Sequence, residues 1–455
     1  MKFFSCQLAA ALLLAVAPEA LANGLRVVSQ DAFAAARGDA FTATADNPSA
    51  IYYNPAGITQ LEGDNVRGGL YGIFLNPTFN PPAGRPNSGQ TYETSKRFAS
   101  APQFYFTHQL KKLPVTVGLG VYAPYGGTLE WPESTRFRAV AERSSLTYLR
   151  FNPVVAVKLS DTLSIAIGGS VDYARLNLQQ GILKGENPPN FFRFTGDGFS
   201  ADYNAGILWR PFEKISLGAT VRGETPFTLD GSTTFEEEGA FPGGSRLARM
   251  NLTFPLTTTF GVSFRPTPKW NVECDVDYAG WDSVGDTAIR QMTAPPSGIQ
   301  QNIPVHLQWQ ASWMYSFGVT RYFDNGWHVS AGYLFSENSV PDKFYTPLAA
   351  DLDRHFFTVG IGRKGKKLIW ISPTNLATGR VKRSAAASRL RRPRCSLGKM
   401  PMALTRSSAM RCCYRRGCIF ELSRRQIALQ LGHFFLHSLM SPTEIKCKTR
   451  RPTAT

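Results

Sequence analysis

The side chains best suited to catalysis or metal binding are few and scattered before residue 368. Four histidines lie there, at positions 108, 306, 328 and 355, and none belongs to a Cys/His spacing typical of a zinc site. His355 lies close in sequence to Asp351 and Asp353, as a base with orienting partners would need. No Gly-rich phosphate loop joins a strand to a helix. We therefore predict that the chain is not an enzyme and uses no cofactor and no metal, with the His355 group as the one catalytic alternative.

Aromatic side chains are concentrated in two segments that could bind apolar molecules. Segments 177–197 and 225–247 are predicted loops, and they carry Phe191, Phe192 and Phe194, then Phe227, Leu229, Phe235 and Phe241. Removing an apolar tail from water contributes about 0.8 kcal/mol per CH₂, so such loops suit the capture of a hydrophobic molecule. The alternative is that these side chains pack the loops together or lie in a membrane-interface belt. Arg222 projects to the polar face of a strand, where it would meet either a ligand carboxylate or acids of the lumen.

The elements that position these residues are predicted to be strands, because apolar residues recur with a period of two from about residue 65. The clearest apolar rows are the odd-numbered residues of 163–173, 215–221 and 327–335 and the even-numbered residues of 270–278. Mostly polar or small residues lie between them. In the 270–278 row Cys274 falls on the apolar face, where it would simply face lipid. Short connections alternate with long ones, which indicates an up-and-down meander. The predicted strands are 65–76, 97–109, 113–126, 143–159, 162–176, 199–210, 214–224, 248–266, 269–281, 304–321, 326–337 and 354–364.

The N-terminus indicates that the chain is exported. A basic start, an apolar stretch around residues 8–16 and the sequence Ala20–Leu21–Ala22 are typical of a signal peptide cleaved before Asn23. A soluble β-sandwich or lipocalin-like barrel also alternates in this way. Twelve long strands, aromatic flanks and export favour an outer-membrane barrel, since a sheet in lipid must close on itself. Beyond the N-terminus, runs of about 18 apolar residues are absent, which excludes a helical membrane bundle.

Residues 23–64 do not alternate and are predicted to form a compact hatch in the lumen. Gln30–Asp31 begins an Ala-rich short helix, and the two Asn-Pro pairs predict turns. The alternative is an extended periplasmic leader.

Several stretches, in order along residues 23–365, resemble the FadL-type family of outer-membrane transporters for long-chain fatty acids and other hydrophobic compounds. They are Gly38–Asp39–Ala40, Ala45–Asp46–Asn47–Pro48–Ser49–Ala50, Asn54–Pro55–Ala56–Gly57, Tyr122–Ala123–Pro124–Tyr125–Gly126, Asn152–Pro153 with Ala156, Tyr278 with Trp281, and Asp351–Leu352–Asp353–Arg354–His355.

The resemblance implies an all-β, 14-stranded transmembrane up-and-down barrel, of which about 12 strands are encoded intact here, with an N-terminal hatch in the lumen. It implies that outer loops capture a substrate, which passes to a pocket beside the hatch and leaves sideways through a gap in the wall. The family's hatch motif corresponds to Asn54, Pro55 and Ala56. The alternatives are a general porin for small polar solutes and an outer-membrane adhesin or receptor.

The predicted location is therefore the outer membrane of a Gram-negative bacterium. The predicted partners are a hydrophobic small-molecule substrate, outer-membrane lipid, lipopolysaccharide and the barrel-assembly machinery, without nucleic acid, and the barrel is predicted to be a monomer.

The charge of the chain lies almost wholly in its last 88 residues. Charged residues are only 18% of the 455, yet the net charge is +17. Residues 368–455 contain 18 Lys or Arg against 2 Asp or Glu and five of the seven Cys, whereas residues 1–367 contain 32 against 31. We therefore predict a signal peptide at 1–22, a hatch at 23–64, a barrel at 65–367 and a tail of different origin at 368–455.

The tail is predicted to arise from a shifted reading frame. Read one base out of register from Leu368, the genetic code permits the alternating string DLDLAYQFGYGP, and from Ser408 it permits SHALLLSAGVYF. Phe420 with Glu421 then permits a stop. These are two strands and a terminal aromatic, where the family would have them. The alternatives are a genuine basic tail and a separate small domain.

Overall fold

The computed structural model describes residues 23–379 and 433–436, except for 75–76, 80–88, 96–97, 136, 182–190, 237–243, 296–299, 342–343, 345, 350 and 365–367. Residues 368–379 and 433–436 are described as backbone only. Among the described residues, no helix has the length and apolar character needed to cross a membrane.

The described residues are mostly strands. The first ten are β1 (Asp64–Phe74), β2 (Thr78–Phe79), β3 (Tyr92–Glu93), β4 (Phe98–Leu110), β5 (Val115–Tyr122), β6 (Gly126–Glu130), β7 (Arg143–Lys158), β8 (Leu163–Gly181), β9 (Phe191–Phe212) and β10 (Ile215–Arg222). They are followed by β11 (Thr225–Glu236), β12 (Gly244–Phe254), β13 (Thr257–Thr267), β14 (Trp270–Ala279), β15 (Thr287–Gln291), β16 (Asn302–Val305), β17 (Ser312–Tyr322), β18 (Trp327–Ser336), β19 (Arg354–Lys364), β20 (Leu368–Gly379) and β21 (His433–Leu436).

Neighbouring strands pair antiparallel in one large sheet, as the predicted meander requires. β1 pairs with β4, and pairing then proceeds through β5, β7, β8 and β9 to the second half of the chain. At the far end β18, β19 and β20 pair in sequence, and β21 lies beside both β20 and β1. The predicted all-β barrel is confirmed.

Burial along each strand matches the predicted two-residue period. On β14 the residues Asn271, Glu273 and Asp275 point inward and are buried, whereas Trp270 and Val276 are exposed. The exposed side chains include many large apolar ones, such as Ile167, Phe199 and Phe260. A wall with apolar side chains outside and polar ones inside is what a barrel in lipid requires. Cys274 is exposed on the outer face, in agreement with its predicted position.

Two predicted strands are interrupted in the structure. The predicted strand 248–266 begins at Gly244 and breaks at residues 255–256 into β12 and β13, since Pro255 has no N–H for the ladder. The predicted strand 304–321 divides into β16 and β17. Between these two, Gln308 has a φ of 40° and the Trp309 side chain is buried. A left-handed residue cannot continue a strand, so the chain turns inward there.

The hatch folds into single helical turns that fill the lumen. They are α1 (Ala32–Ala35), α2 (Ala50–Tyr53) and a 3-10 helix, Pro55–Gln60. Asp31 caps α1 by accepting hydrogen bonds from the amides of Phe33 and Ala34. Nearly every residue from Asn23 to Ile58 is buried, so an extended leader does not describe this segment.

The sheet also extends beyond the predicted end of the barrel at residue 367. β20 pairs along its length with β19, from Arg354 opposite Gly379 to Lys364 opposite Ile369. The Leu-Ile-Trp-Ile sequence at 368–371 has high strand propensity, and the free edge of β19 offers it a partner. The structure thus has a further strand that the count of twelve omitted. Whether the reading frame shifts here stays a prediction.

Candidate functional site

Inside the half of the barrel that carries the long connections lies a large cluster of apolar side chains. We call it the apolar cluster; it contains Leu146, Tyr148, Leu176, Phe192, Phe194, Phe227, Leu229, Phe235, Met250, Leu252, Phe254, Trp281 and Trp309, all buried. The six predicted capture residues that the structure describes lie on β9 and β11 and not in loops. β9 begins earlier than the predicted strand 199–210, and β11 is a strand where a loop was predicted. Five of the six residues point inward into the apolar cluster, and only Phe191 lies on the opposite face of β9. Phe241 lies outside the described residues.

Aromatic contacts hold the apolar cluster together. The ring centroid of Tyr125 lies 4.6 Å from that of Phe254 and 5.8 Å from that of Trp281. Phe227 contacts both Tyr148 and Phe254, each at 5.6 Å in an edge-on arrangement. Such pairs add to the stabilisation from burial alone. The cluster is therefore closed in this structure, and a ligand would have to displace some of these contacts.

A polar layer separates the apolar cluster from the hatch. Arg150 of β7 donates to Asp172 of β8 at 2.6 Å and to Asp202 of β9 at 2.8 Å, with all three side chains buried. On β7, Leu146 and Tyr148 belong to the apolar cluster, whereas Val154 and Ala156 pack against the hatch. Because Arg150 lies between these two pairs on one strand, the lumen is layered as apolar cluster, polar layer and hatch.

Arg222 lies in the polar layer, on the rim of a cavity between hatch and wall. The cavity is lined by Arg26, Ser29, Asp39, Tyr52, Arg222, Asp275, Asp277 and Ser316, among others. The guanidinium of Arg222 lies 4.3 Å from the centroid of the Tyr52 ring, and its Nε and Nη2 atoms are buried without a hydrogen-bond partner among the described residues. The predicted alternative, an ion pair between Arg222 and lumen acids, is absent from that part of the chain.

The first residues of the hatch, Asn23–Gln30, form a segment that touches the apolar cluster at one end. We call it the N-terminal segment. Trp281 donates its Nε1–H to Asn23 Oδ1 at 2.6 Å, and Gly24 lies against the Trp281 ring so closely that a Cβ there would be 2.6 Å from it. Asp351 Oδ2 accepts from the amides of Gly24 at 2.8 Å and Ser339 at 2.6 Å. One buried carboxylate thus ties the N-terminal segment to the loop between β18 and β19.

Burial shifts the acidity of two carboxyl groups at this segment. Burial penalises the charged form of Asp351 and raises its pKa from 3.8 to about 7, although the two amide hydrogen bonds oppose the shift. Burial likewise raises the pKa of Asp39 to about 6, against hydrogen bonds from Tyr53 and Ser29. Both groups therefore change charge in the neutral range.

The other end of the N-terminal segment lies in an interruption of the barrel wall. β4 pairs with β5 only from Phe104 onward, and the ladder that β6 forms among the described residues is with β7, since residues 123–125 bend inward between β5 and β6. Among the described residues, the stretch 98–103 of β4 therefore has no ladder partner on that side. We call this interruption the wall gap.

The N-terminal segment closes the wall gap from inside. Val27 donates its amide to Pro124 O at 2.9 Å, and the Gly126 amide donates to Leu25 O at 2.9 Å. Around this contact lie the small or buried side chains of Val27, Ala101 and Ala123. The segment therefore lies against residues 124–126 on the inner side of the wall gap.

The predicted hatch motif anchors the hatch to the wall. Asn54 Nδ2 donates to the carbonyls of Thr42 in the hatch and Ile207 on β9, each at 2.9 Å. Its Oδ1 accepts from the Ala56 amide and caps the 3-10 helix, in which Pro55 takes the first position and needs no donor. The three residues thus fix a turn against β9, and their side chains provide no reactive group.

The predicted catalytic alternative does not assemble. His355 accepts or donates a 2.7 Å hydrogen bond with the hydroxyl of Tyr333, whereas Asp351 binds the amides of Gly24 and Ser339. Asp353 accepts from the amide and side chain of Asn338. Within the part of the chain that the structure describes, no group of three His, Cys, Asp or Glu side chains is arranged to hold a metal ion.

The fold agrees with what comparisons with known proteins find. A family model described as "Outer membrane protein transport protein (OMPP1/FadL/TodX)" matches residues 13–368. The chain belongs to this family. The "Long-chain fatty acid transport protein" of Escherichia coli O6:H1 is 20% identical over 356 residues, which is 70% of this chain and 78% of that protein. The family places the chain in the outer membrane, and its members are transport proteins, as predicted, and not enzymes.

Solved structures of the family share the fold. A Pseudomonas aeruginosa FadL homologue superposes with a TM-score of 0.70 at 14% identity, over 91% of this chain and 97% of that one. The Pseudomonas putida toluene transporter TodX superposes with a TM-score of 0.61 at 15% identity, over 81% and 95% of the two chains.

Sequence reasoning missed the contacts between hatch and wall. Arg26 donates to Asp277 of β14, with Nη2 to Oδ2 at 2.9 Å, and Arg37 contacts Asn271 and Glu273 on the same strand. The alternation of residues 270–278 did place acids on the inner face of this strand. Their partners could not be chosen, because nothing in the sequence specifies which hatch residue meets which strand.

Proposed function

We propose that the chain moves hydrophobic molecules, such as long-chain fatty acids or related compounds, across the outer membrane by passive diffusion through its plugged barrel. The observation that carries this proposal is that the N-terminal segment touches both the apolar cluster and the wall gap. The relatives support it, since one is named for long-chain fatty acid transport and another for toluene transport.

A plugged, apolar lumen suits such a substrate better than a watery pore. A porin for small polar solutes needs an open polar channel, whereas here the hatch is buried among wall side chains and the space above it is filled by aromatic residues. A hydrophobic molecule can replace those contacts at little cost, because its own apolar surface leaves water when it enters.

Sideways exit through the wall gap completes the proposed path. The N-terminal segment contacts Trp281 in the apolar cluster and Pro124 at the wall gap. A ligand that displaces the residues around Gly24 would therefore also disturb the strand-like contact at Val27. In this proposal the same displacement of the N-terminal segment admits the ligand and opens the wall.

The capture residues and Arg222 have proposed roles along this path. The inward-pointing Phe192, Phe194, Phe227, Leu229 and Phe235 would receive the apolar part of the ligand, together with Phe241. Phe191 lies on the outer face of β9 and has no part in this proposed role. Arg222, with two unpartnered nitrogens beneath the apolar cluster, would bind a carboxylate if the ligand carries one. Asn54, Pro55 and Ala56 would keep the hatch in place during this movement.

We further propose that the barrel acts as a monomer, is inserted by the barrel-assembly machinery and is surrounded by lipid and lipopolysaccharide. The signal peptide at residues 1–22 belongs to the same proposal, and these residues lie outside the described part of the chain.

The test is uptake by a host that lacks its own transporter. Cells with and without this gene are given labelled oleate, labelled toluene or a labelled small sugar, and initial rates are compared. The proposal expects faster uptake of at least one hydrophobic probe and an unchanged sugar rate. Faster sugar uptake alone would replace it with a porin function, and no change with any probe, in cells that carry folded barrel, would favour a receptor or adhesin.

A further inference from the structure

A row of charged side chains crosses the outer face of the barrel near the long connections. In register on neighbouring strands stand Arg175 of β8, Asp197 of β9, Asp230 of β11, Arg249 of β12 and Arg290 of β15. All five are exposed. Registered residues on paired strands lie side by side, so the five charges form one continuous band. We call it the charged row.

The charged row faces the surroundings of the barrel and not the lumen. On either side of Arg175, Ala174 and Leu176 point inward and are buried, and Ala248 and Met250 do the same beside Arg249. Because side chains alternate between the two faces of a strand, the charges between them point outward. Lumen chemistry such as ligand transport therefore does not account for them.

An outward aromatic pair lies next to the charged row on the side away from the long connections. Tyr173 of β8 and Phe199 of β9 stand two residues before Arg175 and two after Asp197, with ring centroids 5.2 Å apart. Phe199 is 72% exposed. Outward aromatic side chains of this kind mark the edge of the apolar membrane band in outer-membrane barrels. The charged row thus begins where the headgroups of the lipid begin.

Arginines outnumber acids in this region. Arg193 of β9 lies on the same outer face, two rows further toward the loops. Its Nε donates to Gln179 at 2.9 Å, and its guanidinium lies 4.5 Å from the Phe191 ring centroid. Of the four arginines only Arg249 forms an ion pair among the described residues, with Asp230 at 2.6 Å. Arg175, Arg193 and Arg290 present guanidinium groups for which the described part of the protein supplies no carboxylate.

We propose that the charged row and Arg193 bind the phosphorylated headgroup of a glycolipid of the outer leaflet, such as lipopolysaccharide. Guanidinium groups pair bidentately with phosphate, and four of them spread over neighbouring strands match a headgroup that carries more than one phosphate. Asp197 and Asp230 provide acceptors for sugar hydroxyls between the arginines. The flanking Tyr173 and Phe199 would contact the acyl chains. The site holds the lipid against the wall strands that carry the apolar cluster on their inner face.

This inference rests on the proposed orientation, with the long connections outside the cell, and on lipopolysaccharide as a proposed partner. It does not depend on transport. Binding is therefore measured directly on the purified, detergent-folded full chain by native mass spectrometry, with diphosphorylated lipid A as the probe. Monophosphorylated lipid A and phosphatidylglycerol serve as comparison probes.

Two double variants test the site, R175Q with R193Q and R249Q with R290Q. The matched control is R321Q with R363Q. These two outward arginines stack on Trp270 and Trp327, at the end of the barrel away from the charged row. The proposal expects each test variant to retain lipid A at least about tenfold more weakly, as the loss of charged hydrogen bonds implies, while the control binds like the unchanged protein. Monophosphorylated lipid A should bind more weakly to the unchanged protein.

The folded state of each variant is confirmed first by its resistance to unfolding in SDS without heating. Equal binding by all variants, or equal binding of phosphatidylglycerol and lipid A, would overturn the proposal. Uptake of labelled oleate is measured on the same variants. Loss of lipid A binding with normal uptake supports the site, and failure of uptake in every variant and in the unchanged chain sinks the transport proposal alone.

Discussion

Replacing Arg222 tests whether the protein binds the carboxylate of a ligand. Its guanidinium rests on Tyr52 and has two buried nitrogens without a partner among the described residues. We expect Arg222→Gln to weaken binding of a fatty acid by about 10- to 100-fold, because a hydrogen bond to a charged group contributes roughly 1.5–3 kcal/mol. Affinity is measured by displacement of a fluorescent fatty acid from purified barrel.

The methyl ester of the same fatty acid is the control ligand for Arg222. It has the same tail and no charge, so its affinity should be similar in R222Q and the unchanged protein. If both ligands lose affinity equally, Arg222 supports the shape of the cavity and does not bind a carboxylate.

The contact between Asp351 and the N-terminal segment should depend on pH. Burial raises its pKa from an ordinary 3.8 to about 7, so the folded state favours the protonated form. The stabilisation is complete below about pH 4 and is lost as the pH rises through about 7. We expect hydrogen exchange at the Gly24 amide, corrected for the intrinsic pH dependence, to become faster between pH 5 and 8.

Asp351→Asn is the matched variant for this titration. Both amide hydrogen bonds end on Oδ2, and the amide oxygen of Asn can accept both. The corrected exchange rate should then be nearly independent of pH. A midpoint that persists near pH 7 in D351N would assign the titration to another group, such as Asp39, whose pKa burial raises to about 6.

The sequence predicted which face of a strand a residue lies on better than which residue it contacts. The inward position of Arg222 followed from alternation, and Asn54 from the resemblance. The contact of Asp351 with Gly24 joins positions 327 residues apart, and no local pattern encodes it. The ion-paired residues of the polar layer were likewise visible only as polar residues on three separate strands.

Blocking the wall gap between the strands should stop transport. Ala101 and Ala123 are small and buried beside Val27 at the wall gap. We expect Ala101→Trp or Ala123→Trp to reduce uptake of hydrophobic probe nearly to the rate of host cells without the gene, since the indole would fill the passage. Ala201→Trp is the control, because Ala201 is exposed on the outer face of β9. Normal uptake in both gap variants with folded barrel would mean that the ligand leaves by another route.

The fit between hatch and wall depends on glycines at which the hatch backbone touches a strand. A Cβ at Gly332 of β18 would overlap the backbone of Arg37 and Gly38. We expect Gly332→Ala to destabilise the folded barrel by about 1–3 kcal/mol, the usual cost of overpacking. The midpoint of unfolding in urea measures this change.

Gly169→Ala is the matched control for the hatch contact. Its Cβ would be 3.8 Å from Asp202 O, the nearest atom, which is ordinary contact. Equal effects of the two substitutions would show that the loss comes from glycine itself and not from hatch packing.

Strands were predictable from alternation because a barrel wall has a different solvent on each face. Ten predicted strands match single elements, but β8 ends later and β9 begins earlier than predicted. The two capture segments show why this happened. The sequence predicts them to be long loops because they lie between alternating segments, whereas β9 and β11 pair with each other there, from Phe191 opposite Glu236 to Asp197 opposite Asp230. Backbone pairing beyond the membrane needs no apolar outer face, so its sequence carries little signal.

In the whole molecule, polarity changes in layers along the lumen. The apolar cluster, the polar layer around Arg150 and the hatch follow one another, and the N-terminal segment connects the first to the wall gap. A molecule with an apolar tail and a polar head matches this order. On the outer face the order is reversed: the charged row lies near the long connections, and the apolar side chains of the membrane band lie below it.

The basic C-terminus is the feature of the whole chain that the barrel does not explain. We propose that a one-base shift near Lys366 and Lys367 produced residues 368–455 in place of the last strands. Nucleotide sequence across codons 360–425 is expected to contain an alternate frame that encodes two alternating strands and then a stop. Stop codons interrupting that frame would disprove the shift.

Assembly in cells provides a second check on the same proposal. A barrel without its last strands leaves unpaired backbone groups in lipid, each costing several kcal/mol. The 455-residue chain should therefore reach the outer membrane in much lower amounts than a chain whose frame is restored after residue 367, as measured by heat-modifiable mobility in SDS gels. The pairing of β20 with β19 gives the longer chain one additional strand, so equal yields of the two chains would show that residues 368–455 complete the wall by themselves and that no shift need be invoked.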